Sequence, residues 1–155
     1  MEDTKRELTI DKTYDAPIDM VWKAWTDQEL AAQWWGPQGF TAPICELDPK
    51  VGGKINIVME DSAGLIRKGS KYPMIGEFKE IDELKKIVFT SEALINNKPI
   101  LENLVRVTFD EVDGKTKMNV HIVVTKATPE AEMPLKGMEM GWNQQLDRLG
   151  EFLKK

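Results

Sequence analysis

The sequence predicts an α+β chain: a curled antiparallel sheet of about six to seven strands around one long C-terminal helix, with two short helices after the first strand. Two observations predict it. Between Phe40 and Thr125 apolar residues recur with period two, and short polar or glycine turns separate the runs, so neighbouring strands run antiparallel. From Met138 onward they recur every three or four residues, as on a helix. One apolar sheet face and one apolar helix stripe must bury each other. A sheet of this length twists and curls as it does so.

The elements follow in order. "RELTIDKTYD" reads as a first strand, with Leu8, Ile10 and Tyr14 at even spacing. Ala16-Pro17 ends it, and Pro17 suits the first position of a helix. "IDMVWKAWT" carries Ile18, Val21, Trp22 and Trp25 at helical spacing. Asp27 is the expected N-cap of a second short helix, "QELAAQWW", which Gly36-Pro37 stops. "FTAPICELD" and "GKINIVMED" are strands separated by Pro49 and Gly52-Gly53. "MIGEFKEI" and "KKIVFTSEAL" form a hairpin around Asp82-Glu83. "INNKP" is a turn, and Asp113-Gly114 joins "LVRVTFDEV" to "KTKMNVHIVVT" through the strongest two-residue hairpin signal in the chain. Thr128-Pro129 caps a helix start, Pro134 sits in its first turn or kinks it, and the helix runs on through Leu153. About 20 residues at 1.5 Å each give roughly 30 Å, enough to cross the sheet.

Composition narrows the function. The 155 residues are expected to form one domain, 1–155. With 41% hydrophobic and 30% charged residues the chain is an ordinary globular one. A formal charge of -5 argues against non-specific nucleic-acid binding, which needs a basic surface. "MEDTKRELTI" contains no apolar leader and no run reaches membrane-spanning length, so a cytoplasmic protein without membrane insertion is expected. Cys45 is a lone cysteine and His121 a lone histidine. Neither a transition-metal site nor a cofactor is expected from so few nitrogen and sulfur ligands. In "KMNVHIVVTK" Met118, Val120, Ile122 and Val124 share one strand face, which leaves His121 on the other.

Several residues could wall a binding site. Trp34 and Trp35 stand side by side where the chain must turn, and either pack under the helices or face a cavity. Gly141 costs its helix about 1 kcal/mol against alanine, which points to a close approach or to space left open beside Trp142. Gln145 lies one turn from Trp142. Met59, Met74 and Met138 suit a wall that accepts varied apolar shapes, or simple gap filling. Phe40, Tyr72, Phe89, Val107 and Phe109 complete the expected cavity lining. Glu60-Asp61 and Asp82-Glu83 fall at strand ends and turns, where they read as solvated charges. Gly52-Gly53 opens no helix and so makes no phosphate loop. No catalytic residue is expected.

Three stretches together, "TYDAPIDMVWKAWTDQELAAQWWGPQGF", "ELDPKVGGKINIVM" and "GMEMGWNQQLDRLGEFL", resemble the activator-of-heat-shock-protein-90-ATPase homologue family. That family belongs to the START-like (Bet v 1-like, SRPBCC) superfamily, and the resemblance runs roughly from Glu7 to Leu153. It implies the helix-grip fold and no single function. The leading expectation is non-enzymatic binding of a hydrophobic small molecule, lipid-like or aromatic, between sheet and C-terminal helix. The alternative is a chaperone-regulating protein-interaction domain. A cyclase- or hydrolase-like enzyme using the same cavity is the third.

Overall fold

The computed structural model describes residues 7–154, without the side chains of Met133 and Pro134; Arg6, read as part of the first strand, lies outside it. The element order is β1 (Glu7–Tyr14), α1 (Ile18–Thr26), α2 (Gln28–Ala31), β2 (Phe40–Leu47), β3 (Lys54–Asp61), β4 (Lys71–Asp82), β5 (Lys86–Ile95), β6 (Lys98–Val112), β7 (Lys115–Ala127), α3 (Glu132–Lys136) and α4 (Met138–Leu153). A single 3-10 turn, Pro129–Ala131, precedes α3. The strands form one antiparallel sheet in the order β1-β7-β6-β5-β4-β3-β2. This is the helix-grip arrangement, and the strand count of seven meets the expectation.

Local chemistry accounts for the joints. Asn96 and Asn97 both adopt positive φ, 52° and 64°, and so do Asp113 and Gly114, 55° and 78°. Two such residues in a row give the hairpin turn whose twist matches the flanking strands. Asp27 caps α2, its Oδ1 accepting the N–H groups of Glu29 and Leu30 at 2.9 and 3.3 Å. Pro17 occupies the cap position of α1, one residue before the position expected for it.

Four boundaries differ from the sequence reading. Beyond Ala31 the helical stretch expected through Trp35 tightens into turns, with the Trp34 and Trp35 N–H groups both bonded to the Ala31 carbonyl. β4 and β6 begin earlier than their apolar runs, at Lys71 and Lys98. The long terminal helix is two pieces, broken at Gly137 (φ -94°, ψ 3°). Glycine has little helical preference, and the break lets Leu135 and Met138 both pack against the Ile100, Leu101, Val124 and Ala131 cluster.

The core lies between the concave sheet face and α1, α2 and α4. Val105, Val107, Val120, Ile122, Leu146 and Leu149 are fully buried there. α4 is fixed to the edge strand by the Tyr14 hydroxyl, which donates to the Leu146 carbonyl at 2.8 Å, and by a Lys12–Asp147 ion pair at 3.0 Å. Gly150 lets Tyr14 come this close: a Cβ there would lie 3.2 Å from the Tyr14 ring.

Candidate functional site

The paired tryptophans open the site. Trp34 is fully enclosed, and its indole N–H donates to the Ala24 carbonyl at 3.0 Å. Its ring lies 4.9 Å from Trp25 and 5.4 Å from Trp35, and Trp35 meets Trp142 edge-on at 6.1 Å. An indole cluster therefore bridges α1, the turn after α2, and α4. Aromatic pairs at these spacings prefer edge-to-face or tilted contacts.

The chain then reverses through Gly36 and Gly39, at φ 101° and 89°. Three residues on one side of α4 hold this reversal. Gln145 Oε1 accepts the Gly36 N–H at 2.9 Å, and Gln144 Oε1 accepts the Gln38 N–H at 3.1 Å. Arg148 Nη1 donates toward the carbonyls of Trp35, Gly36, Pro37 and Phe40 at 3.2, 2.8, 3.1 and 3.0 Å. Partial burial lowers the Arg148 pKa from its ordinary value, yet a guanidinium stays charged. A turn made of glycine and proline supplies few side chains of its own, so its backbone groups are satisfied from the helix.

Two spaces adjoin this turn. The first is small, about 10 Å³, and lined by Trp25, Trp35, Ile55, Met74, Phe78 and Phe89 among others. That is about one water's worth of room, far below the few hundred cubic ångströms a drug-sized ligand fills. The second, about 560 Å³, lies between the end of β1 and α4 and is lined by Lys12, Tyr14, Gln38, Leu146, Asp147 and Glu151 among others. Apart from these, incomplete burial on the inward face of β3, β4 and β5 marks a shallower groove. β5 is the central strand, and in a filled core its concave face would be covered. Ser91 and Ala93 on it are only half-buried. Met59 and Tyr72, cross-strand partners on β3 and β4, and Met138 and Trp142 on α4 are half-buried as well, and Met138 and Ala93 pack against the same small apolar cluster. On the helix side, a Cβ at Gly141 would meet no atom within 4 Å.

Two buried amides bear on these spaces. Asn103 alternates with Leu101, Val105, Val107 and Phe109 on the inward face of β6. It is 7% exposed, and its Oδ1 has no hydrogen-bond partner. Gln145 is 6% exposed, and its Nε2 is also unpartnered, as is the Trp25 indole N–H. Orphaned buried polar atoms are uncommon, because each carries a desolvation cost.

The residues expected to line one cavity are thus distributed. Trp34, Val107 and Phe109 lie in the closed core, Phe109 edge-on to Trp22 at 5.4 Å. Trp35, Met74 and Phe89 border the small space. Phe40 is buried at the groove's rim and lies 5.8 Å from Tyr72. Met59, Tyr72, Met138 and Trp142 flank the groove, and Gln145 is buried beside the glycine turn. Ala93 and Asn103 were not singled out by sequence, nor were Gln144 and Arg148. A small residue amid the bulky positions of a central strand was the available signal for Ala93.

The groove offers aromatic rings, thioethers, an amide and a hydroxyl, groups that orient a ligand. The Tyr72 hydroxyl accepts from Ser70 at 3.0 Å. His121 lies on the outer sheet face, bonded to Glu7. Burial, reinforced by Glu46, pushes the Cys45 thiol up to about 11, so it stays a thiol at neutral pH. Among the described residues, no three His, Cys, Asp or Glu side chains are grouped as a metal site would require. No helix among them is long and apolar enough to cross a membrane.

Beside the groove, Asp61 organises the β3–β4 loop. Its Oδ1 accepts the N–H groups of Gly64 and Leu65, both at 2.9 Å. Its Oδ2 accepts those of Ile66 and Arg67, at 2.7 and 2.9 Å. Burial raises the carboxyl pKa, but these four bonds outweigh it and hold the value below the ordinary 3.8. The loop's Leu65 packs onto the turn, where a Cβ on Gly39 would stand 2.9 Å from its Cδ1.

Comparison with known proteins adds a family and a set of folds. Residues 15–154 match the family model described as "Activator of Hsp90 ATPase homolog 1-like protein". No match was found among curated proteins. Among solved structures, protein CV1439 from Chromobacterium violaceum superposes with a TM-score of 0.82 at 21% identity, over 97% of this chain and 98% of that one. A protein from Arthrobacter aurescens gives 0.82 at 21% identity, over 99% and 90%. The AHSA1 (SPO3351) protein from Silicibacter pomeroyi gives 0.77 at 21% identity, over 96% and 97%. At these identities the likeness concerns the fold.

Proposed function

This chain belongs to the Activator of Hsp90 ATPase homolog 1-like family, and from that premise we propose that it binds a small apolar molecule, aromatic rather than chain-like, without transforming it. The ligand lies in the groove between the concave sheet face and the α3–α4 region. One observation supports the reading: Ser91 and Ala93, on the inward face of the central strand, stay partly exposed, and a Cβ on Gly141 of α4 would meet no atom within 4 Å. A core that merely needed packing would fill this position, since burying a large aliphatic side chain contributes about 1.5–3 kcal/mol. Trp142, Tyr72, Met59 and Met138 give the walls broad, adaptable apolar surface.

Titration with fatty acids, sterols, flavonoids and aromatic polyketides tests this. A ligand that occupies the groove raises the melting temperature, because it binds only the folded chain, and alters indole emission through Trp142. No shift in either signal from any class removes the reading. A second reading, a protein-interaction domain, draws on Leu65 and Ile66. They stand 65% and 73% exposed on a loop that Asp61 holds in shape. Replacing both with serine leaves small-molecule binding intact in the first reading and abolishes partner capture in the second.

A further inference from the structure

The orphaned amide on the sheet bears on what the groove recognises. Asn103 lies on the inward face of β6, in register with Ser91 on β5 and Val124 on β7. Its neighbour two positions away, Leu101, packs in the cluster to which Met138, at the start of α4, also contributes. Its Oδ1 is buried with no partner. Had packing alone governed this position, an aliphatic residue like Leu101 or Val105 would serve without that desolvation cost. The partly exposed Ser91 paired with it across the strands adds a hydroxyl nearby.

The geometry points to Asn103, with Ser91, as the polar anchor of the groove, selecting a neutral aromatic ligand that carries a hydroxyl. This rests on the small-molecule reading above and deepens it. A hydroxyl both donates and accepts, so it pairs with either end of an amide. A carboxylate fits less well. Met59, Tyr72, Ser91, Ala93, Asn103, Met138 and Trp142 supply no cation, and the nearby Arg148 Nη1 is committed to four backbone carbonyls. An anion entering there would lose its hydration without a directly paired counter-charge, since Arg148 points its Nη1 into the glycine turn. A ligand with no polar group would leave the Asn103 oxygen unsatisfied.

The test uses three probes with one ring system and one varied substituent: 2-naphthol, 2-methylnaphthalene and 2-naphthoate, each measured by equilibrium dialysis. Wild type should bind 2-naphthol at least about tenfold more tightly than either other probe, which corresponds to about 1.4 kcal/mol. Asn103→Leu should erase that preference or invert it toward 2-methylnaphthalene. Its melting temperature without ligand should hold or rise, because the buried orphan is gone. Ser91→Ala should weaken 2-naphthol binding alone, and it serves if Asn103→Leu fails to fold. Equal affinity for all three probes in wild type, or an unchanged preference in both variants, overturns the anchor while leaving the small-molecule reading in place. Failure of all three to bind overturns the anchor, and the small-molecule reading falls with it only when the wider panel gives no signal either.

Discussion

Gln145 accepts the Gly36 N–H at 2.9 Å, joining the turn after the paired tryptophans to a helix residue 109 positions later. Arg148, one turn on, gathers four carbonyls of the same turn. The two contacts should respond differently to removal. Arg148→Met keeps the aliphatic stem and takes away a charged donor, at a cost of about 2 kcal/mol. Gln145→Leu loses one bond but also removes the unpartnered Nε2, so its effect should stay within about 1 kcal/mol of neutral. Urea denaturation of both variants measures the contrast, and equal losses would contradict it.

Leu149 is fully buried on the inner face of α4. Leu149→Ala should cost about 2–5 kcal/mol in chemical denaturation, the lost transfer energy plus the cavity. A loss below about 0.5 kcal/mol would mean that α4 does not bear on the core.

The two glycines of α4 should behave oppositely. Gly141→Ala meets no atom within 4 Å and should stabilise by up to about 1 kcal/mol. Gly150→Ala should destabilise, because its Cβ would press on Tyr14 and loosen the hydroxyl bond to Leu146. Gly141→Phe should fill the groove, raise or hold the melting temperature and abolish small-molecule binding. Retained binding in that variant would place the ligand elsewhere.

Asp61 predicts a pH dependence. Its pKa is depressed in the folded chain, so the unfolded chain takes up the proton first as pH falls. Its contribution is therefore complete above the ordinary value of 3.8 and is lost as pH falls through the lower folded value. Asp61→Asn should remove that acid-side dependence. It should also speed trypsin cleavage after Arg67 and Lys68, because the amide replaces one acceptor oxygen with a donor facing N–H groups. Unchanged cleavage rates would show that the loop holds its shape without the carboxylate.

What the sequence revealed and what it hid have physical reasons. The turns at Asn96-Asn97 and Asp113-Gly114 were legible because a two-residue hairpin turn demands positive φ, which these residues tolerate. The Asp27 cap and α1 were legible from local side-chain chemistry and spacing. Asn103 was not, because "INNKP" reads as a turn and the apolar run that reads as a strand starts only at Leu104, which leaves Asn103 between them. Only pairing with β5 and β7 extends β6 back to Lys98 and turns Asn103 inward. The grip of Gln144, Gln145 and Arg148 on the glycine turn was equally hidden. It joins segments more than 100 residues apart, and no local pattern encodes it. Trp34 and Trp35 were legible as a structural junction, but the division between a closed indole cluster and a separate groove depends on side-chain depth that spacing does not carry.

The strand order has a consequence for how the chain assembles. β2 to β7 are neighbours in sequence and in the sheet, so they can zip up hairpin by hairpin. β1 pairs only with β7, Glu7 opposite Val123, across nearly the whole polypeptide. Closing so large a loop is entropically slow, and topologies dominated by such contacts fold slowly. On a ribosome β1 and α1 emerge first and wait for their partners, with Trp22, Trp25, Trp34 and Trp35 still exposed to solvent. Pulsed hydrogen exchange during refolding should find the β1 amides protected after those of β5 and β6. The interval before β1 docks is when the nascent chain is most prone to aggregate.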